Sequence, residues 1–260
     1  MRQKLVIAIL GALILGAFAS LSFFSSPVSA TMRLRIEDVA SGVGAVITDN
    51  GPGDTNPLVG ALTFSSGIGS FTVNVTTGVS QPLIGGVSDL GQIDLNSVNV
   101  LTSGAGTLRL TLEDTGYLAG SGSTLNVLGT VGGTLTATAG STITVQSWAN
   151  GSNLVPDLGP DQGVGAIGAI GGAPAGSVAA WTSAADFGSG AFSGSGAGEF
   201  NNGADDTFSL FAQVTVNFTG AGSVSFDENQ RVVPEPASLL LLGAGVAALL
   251  AGRKRQRRNS

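Results

Sequence analysis

The sequence predicts an all-β protein: an antiparallel β-sandwich or jelly roll carrying a Gly/Ala/Ser-rich insertion. An N-terminal signal helix and a C-terminal transmembrane helix are expected to flank it. Three observations carry this expectation. Apolar and polar residues alternate at period two in several separate runs, the mark of strands with one buried face. Turn-forming clusters separate those runs, and no long amphipathic helix pattern intervenes. Short apolar stretches lie at the two ends, one preceded and the other followed by basic residues.

The first element is residues 1–30. Arg2 and Lys4 precede an apolar run over 5–19, and Ser25-Ser26-Pro27-Val28-Ser29-Ala30 closes the segment. A basic start, a short apolar core and small residues at the end describe a secretory signal peptide. Val28 and Ala30 satisfy the small-residue rule, so cleavage is expected between Ala30 and Thr31. A cut after Ala19 would leave Leu21-Ser22-Phe23-Phe24 on the mature end, and the apolar run is short for a permanent span. The secretion translocon and signal peptidase are the partners this segment implies.

The body over 31–232 reads as strand and turn. Phe71, Val73 and Val75 alternate with Thr72, Asn74 and Thr76; Leu108, Leu110 and Leu112 alternate with Arg109 and Thr111. Phe208, Leu210, Ala212, Val214, Val216 and Phe218 share one face of the longest run. Ile93 and Leu95 alternate, then Val98 and Val100 resume out of phase, which predicts a bulge near Asn96-Ser97. Asp49-Asn50-Gly51-Pro52-Gly53 and Ala119-Gly120-Ser121-Gly122 are turns. Residues 163–203 hold 12 glycines among Ala and Ser and are expected to form a long loop or insertion, with Trp181, Phe187 and Phe192 pinning it.

Composition excludes much chemistry. The 260 residues contain no histidine and no cysteine, so a Ser-His-Asp triad, a cysteine nucleophile and a His/Cys metal cage are absent. The formal net charge is −6, from 11 Lys+Arg against 17 Asp+Glu. Seven of the basic residues lie in the two ends. The body over 31–235 therefore keeps four arginines, no lysine and all 17 acids, a net of −13. Such a surface repels nucleic acid.

Candidate sites within the body are few. Gly163-Val164-Gly165-Ala166-Ile167-Gly168 spells a dinucleotide fingerprint, but Gly171, Gly172 and Pro174 would fall inside the helix that the fingerprint needs. Residues 49–56 and 202–206 concentrate oxygen ligands of the kind Ca²⁺ favours, without EF-hand spacing; Asx-rich turns also bond their own backbone. Calcium is thus an alternative, and no other cofactor is expected. Glu37, Glu113, Glu199 and Glu228 are available to a carboxylate-based glycan hydrolase, yet no spacing singles out a pair, and Glu113-Asp114 reads as a solvated strand end. Trp148, Trp181 and Tyr117 are the rings available to a carbohydrate-binding platform, but buried core packing is the use expected of each.

The last element is the tail, 233–260. Two prolines around Glu235 hold the chain extended, as a processing enzyme requires of its substrate. A 16-residue apolar stretch, 237–252, follows; as a helix it rises about 24 Å, a marginal span that flanking basic residues extend. Arg253, Lys254, Arg255, Arg257 and Arg258 fix its end in the cytoplasm and the body outside. Pro234-Glu235-Pro236, the apolar span and the basic end, in this order, resemble the PEP-CTERM sorting signal of exported bacterial proteins. The resemblance implies recognition by exosortase, a membrane-embedded cysteine protease or transpeptidase, near Pro234, Glu235 and Pro236, with loss of the hydrophobic tail. It further implies delivery from an inner-membrane intermediate to the cell surface or extracellular matrix of a Gram-negative-type bacterium.

The expected function is accordingly non-enzymatic: a structural or adhesive component associated with exopolysaccharide or biofilm. A carbohydrate- or calcium-binding extracellular module is the alternative, and a glycan hydrolase a further one.

Overall fold

Period-two patterning becomes two faces on every long strand. In β4 (Phe71–Val79), Phe71, Val73 and Val75 are buried while Thr72, Asn74 and Thr76 are exposed. The computed structural model describes residues 32–234, apart from 85–89, 121, 170–171, 186–189 and 203–205. The signal segment 1–30, Ala30 and Thr31, Glu235 and Pro236, the apolar stretch 237–252 and the basic tail 253–258 lie outside the described residues. No helix among the described residues is long and apolar enough to cross a membrane.

The chain order is β1 (Arg33–Asp38), β2 (Val43–Thr48), β3 (Ala61–Ile68), β4, β5 (Gly91–Thr102), β6 (Gly106–Leu118) and β7 (Thr124–Ala137). There follow β8 (Thr142–Asn150), β9 (Gln162–Ala166), β10 (Ser177–Ala185), β11 (Gly190–Asn201), β12 (Thr207–Phe218) and β13 (Gly222–Pro234). They form a seven-stranded sheet, β10-β8-β12-β6-β1-β2-β9, and a six-stranded sheet, β11-β7-β13-β5-β4-β3. The protein is all-β, a sandwich of two antiparallel sheets. One hydrophobic cluster fills the space between them, drawing on Leu34, Ile36, Leu110, Val145 and Val214 from the larger sheet and Val73, Leu95, Val127 and Phe226 from the smaller.

The bulge expected near Asn96-Ser97 is present. The β13–β5 register passes from Phe226↔Val98 to Glu228↔Leu95, so Asn96 and Ser97 oppose Asp227 alone. Ser97 takes φ +52°, and its N–H donates to the Asp227 carboxylate that faces it. At one end of the sandwich Asp38 clasps the sheets together. Its Oδ1 accepts from Ala40 and Ser41 N–H in its own turn, and its Oδ2 from Ser70 N–H and Oγ across the interface.

Residues 163–203 are not a loop throughout. They hold most of β9 and all of β10 and β11, each at the edge of a sheet. Small side chains carry no periodic signal, and these strands are held by backbone pairing: β11 runs in unbroken register with β7, from Gly190↔Leu135 to Asn201↔Thr124. Phe192 and Phe200 drop from it into the core. Phe187 and the side chain of Trp181 lie outside what is described.

Candidate functional site

Strand register builds three rows across the outward face of the seven-stranded sheet. The first aligns Trp148, Phe211, Glu113 and Arg33, and the second Gln146, Gln213, Thr111 and Arg35. The third aligns Thr144, Thr215, Arg109 and Glu37. Three of the body's four arginines thus share one face with two glutamates. Arg35 Nε donates to Glu37 Oε2 at 2.9 Å, and Arg109 Nη1 to Glu37 Oε1 at 2.8 Å, so one carboxylate serves two guanidinium groups. Arg33 Nη1 stands 3.4 Å from Glu113 Oε1.

The segment between β8 and β10 roofs part of this face. Arg33 donates to the Gly159 carbonyl, and Arg35 to the Leu158 carbonyl at 2.9 Å and to that of Gly168. Leu158, part of this segment, is itself fully buried. Within the segment β9 pairs with the edge of β2, where Gly44 has no side chain to keep Ile167 away; a Cβ there would collide with Ile167 Cδ1 and the Ile36 carbonyl. The sequence 163–168 is therefore part of a strap, and the glycines of its apparent fingerprint open no helix.

Glu113 and Asp114 correct the reading of a solvated strand end. They sit mid-strand in β6, both essentially buried. Desolvation pushes the Glu113 carboxyl up to about 8 against the pull of Arg33, with Asp114 and Asp157 adding to the rise. Its Oε2 has no hydrogen-bond partner, nor has Arg109 Nε. Sequence missed this cluster because it depends on pairing β1 with β6, some seventy residues away. The one available signal was that charges in β1 and β6 replace the expected polar residues on the outward side of apolar alternation.

The candidate carboxylates do not converge. Glu37 and Glu113 share the roofed face, each beside an arginine. Glu199 is exposed on β11, and Glu228 points into the interior from β13, fully buried, with neither oxygen partnered. Burial holds the Glu228 carboxyl well above its usual range.

The oxygen-rich turns serve the backbone. Asp54 accepts from the N–H groups of Asn50, Asn56 and Thr63, and Asp49 Oδ2 from that of Gly60. Among the described residues no group of three or more acidic side chains is arranged to hold a metal ion. In the segment 202–206, residues 203–205 lie outside the description.

The aromatic candidates separate. Tyr117 belongs to the core, stacked on Phe208 at 5.3 Å, its hydroxyl donating to the Gln92 carbonyl at 2.9 Å. Trp148 faces outward, half-buried, stacked on Phe211 with ring centroids 5.2 Å apart and planes at 17°. With Phe211, Arg109, Gln146 and Gln213 it lines a cavity of about 300 Å³ that Pro156, Gly172 and Ala173 wall from the strap.

The other functional element is the end of β13. This strand lies between β7 and β5 in the six-stranded sheet, paired as far as Pro234↔Leu125. Residues 232–258, which begin inside this last paired stretch, match the family of the PEP-CTERM protein-sorting motif. The chain carries a PEP-CTERM sorting domain. Such a motif marks an exported protein that exosortase processes. In this PEP-CTERM protein Pro234 is the last residue of β13 and is itself paired.

No curated protein matches the chain in sequence. Among solved structures, similar ones include TmCBM61 in complex with beta-1,4-galactotriose, at 12% identity over 70% of this chain and 92% of that one, TM-score 0.28. The K1 cleaved adhesin domain of Lys-gingipain from Porphyromonas gingivalis W83 is similar at 13% identity over 68% and 93%, TM-score 0.24. TmCBM27, a module recognising mannan, is similar at 10% identity over 66% and 88%, TM-score 0.23. At such identities and scores these likenesses add nothing to a functional reading.

Proposed function

We propose that the protein is exported through its signal segment, held in the inner membrane by residues 237–252, and released there by exosortase. Its β-sandwich body then serves at the cell surface or in the extracellular matrix as a non-catalytic structural or adhesive component associated with exopolysaccharide. The sorting motif at 232–258 carries the reading. The body's sparse charge, its lack of imidazole and thiol, and the separation of its carboxylates support the non-catalytic part. Mass spectrometry of the surface-located protein tests it. The expected mature chain begins at Thr31 and lacks everything beyond the Pro234-Glu235-Pro236 region; Ser260 on surface-located protein refutes the processing.

One observation favours a second reading, direct contact with carbohydrate. Trp148 stands on an outward face, backed by Phe211 and flanked by amide side chains, as a ring that stacks on a sugar is placed. Wild-type binding to a glycan array that Trp148→Ala abolishes, with the melting temperature preserved, is the expected result.

A further inference from the structure

We infer that the cavity beside Trp148 is a subsite for a carboxylated saccharide, a uronic acid unit within a glycan. The inference rests on the carbohydrate-contact reading above and names its ligand class. Three features of the cavity converge on that chemistry.

The first is the aromatic floor. Phe211 is buried and stacked under Trp148, so the indole is fixed in place before any ligand arrives. A pyranose presents an apolar C–H face to such a ring and turns its hydroxyls outward. Gln146 and Gln213, one row along the sheet, supply amide donors and acceptors at that rim.

The second is a positioned cation. Arg109 lies in the adjoining row, its Nη1 tied to Glu37 at 2.8 Å, while its side chain stays 27% exposed and lines the cavity. The guanidinium is thus oriented, with N–H groups left for a second acceptor. A planar carboxylate matches the guanidinium fork in geometry and charge.

The third is where this positive charge stands. The body carries a net of −13, so an anionic glycan is repelled from most of its surface. On this face Arg33, Arg35 and Arg109 stand against Glu37, Glu113 and, on the strap, Asp157. The acids thus do not outnumber the arginines as they do over the body as a whole, and burial raises Glu113 to about 8. Two other concavities have different chemistry. One, on the six-stranded sheet, is lined by Thr72, Asn74, Asn99, Thr134 and Ser225 without charge or ring. The other has Arg231 beside Thr130 and Asn229, and again no aromatic.

The test uses the full chain in detergent, titrated with an oligouronate and with the same oligosaccharide after reduction of its carboxyl groups. The oligouronate is expected to bind saturably, and the reduced form about tenfold or more weaker, the scale of losing a charge-assisted hydrogen bond. Arg109→Lys should weaken the oligouronate by a similar factor and leave the reduced form unchanged. Trp148→Ala should remove both. Gln146→Leu, which touches no ion pair, should weaken both with an unchanged melting temperature and so separates recognition from folding. Equal affinity for the two oligosaccharides, or indifference to Arg109→Lys, overturns the carboxylate assignment and leaves carbohydrate contact standing. Displacement of the oligouronate by adenosine monophosphate at equal concentration shows a general anion site and overturns it too. No binding of either oligosaccharide by a folded wild type ends the carbohydrate reading with it; sorting is decided separately by the terminal masses.

Discussion

On the six-stranded sheet, Thr72, Asn74, Asn99, Thr134 and Ser225 stand exposed on an outward face that no segment among the described residues roofs in this way. On the seven-stranded sheet, the same outward positions hold Arg33, Arg35, Glu37, Arg109 and Glu113, and a strap from the β8–β10 connection lies across them. The two sheets share a core and a strand grammar, yet differ in what their outer side chains require. A hydroxyl or amide facing water needs no partner. A guanidinium under a strap must find acceptors for its donors, and Arg35 does so with one carboxylate and two strap carbonyls. The open patch of hydroxyls and amides is therefore tolerant, and the roofed face is a single interlocked unit.

The largest expected break in this comparison is Arg35→Met. It leaves buried Glu37 with Arg109 alone and frees the Leu158 and Gly168 carbonyls. Urea unfolding should show a loss of about 3–5 kcal/mol, as for breaking a buried ion pair, and limited proteolysis should cut first within 154–168. Unchanged stability would show that the strap is held by β9 alone.

The next effect is on pH dependence. Folded Glu113 keeps its proton up to about 8, whereas the unfolded chain releases it near the ordinary glutamate value of 4.5. Between those values the folded state binds more protons, so stability falls as pH rises through that window and levels off above it. The total is on the order of a few kcal/mol, since each unit of separation is worth about 1.4 kcal/mol. Glu228 acts in the same direction. Glu113→Gln should flatten part of the slope and Glu113→Gln with Glu228→Gln more of it, read as melting temperature from pH 5 to 9. The raised Asp94 and Asp49 carboxyls contribute in the same direction at the acidic end.

Smaller is Gly44→Ala, which drives a Cβ into Ile167 and the Ile36 carbonyl; overpacking of this kind costs about 1–3 kcal/mol and should loosen the strap. Its counterpart on the other sheet is Gly67→Ala, where the nearest atom lies 3.9 Å away and no loss is expected. Smallest are Thr134→Ala and Ser225→Ala on the unroofed face, each within about 0.5 kcal/mol of wild type by denaturant midpoint.

How far the sequence could be read divides along the same line. Phe71-Val73-Val75 and Leu108-Leu110-Leu112 announce strands because burial acts at short range and leaves a period of two. The bulge at Asn96-Ser97 was legible for the same reason, as a break in phase. The sorting motif is local too, a linear string read by an enzyme. The charged face was not legible: whether Glu113 meets solvent or Arg33 is decided by a partner strand far away in sequence. Nor were β10 and β11, whose Gly, Ala and Ser pair through the backbone and leave no pattern. Trp148 and Tyr117 look alike as isolated aromatics, and only strand phase sends one outward and the other into the core.

The place of β13 has a consequence for how the molecule is made. It is the final strand of the sandwich in chain order, yet it joins β5-β4-β3 to β7-β11. Until residues 222–234 take their place, the six-stranded sheet is two disconnected ribbons with their inner apolar residues unmatched. The residues that match the sorting motif, 232–258, begin within that strand. The sheet thus cannot close without a strand whose last residues already belong to the motif, and a chain cut ahead of the motif is also a chain with its core left open.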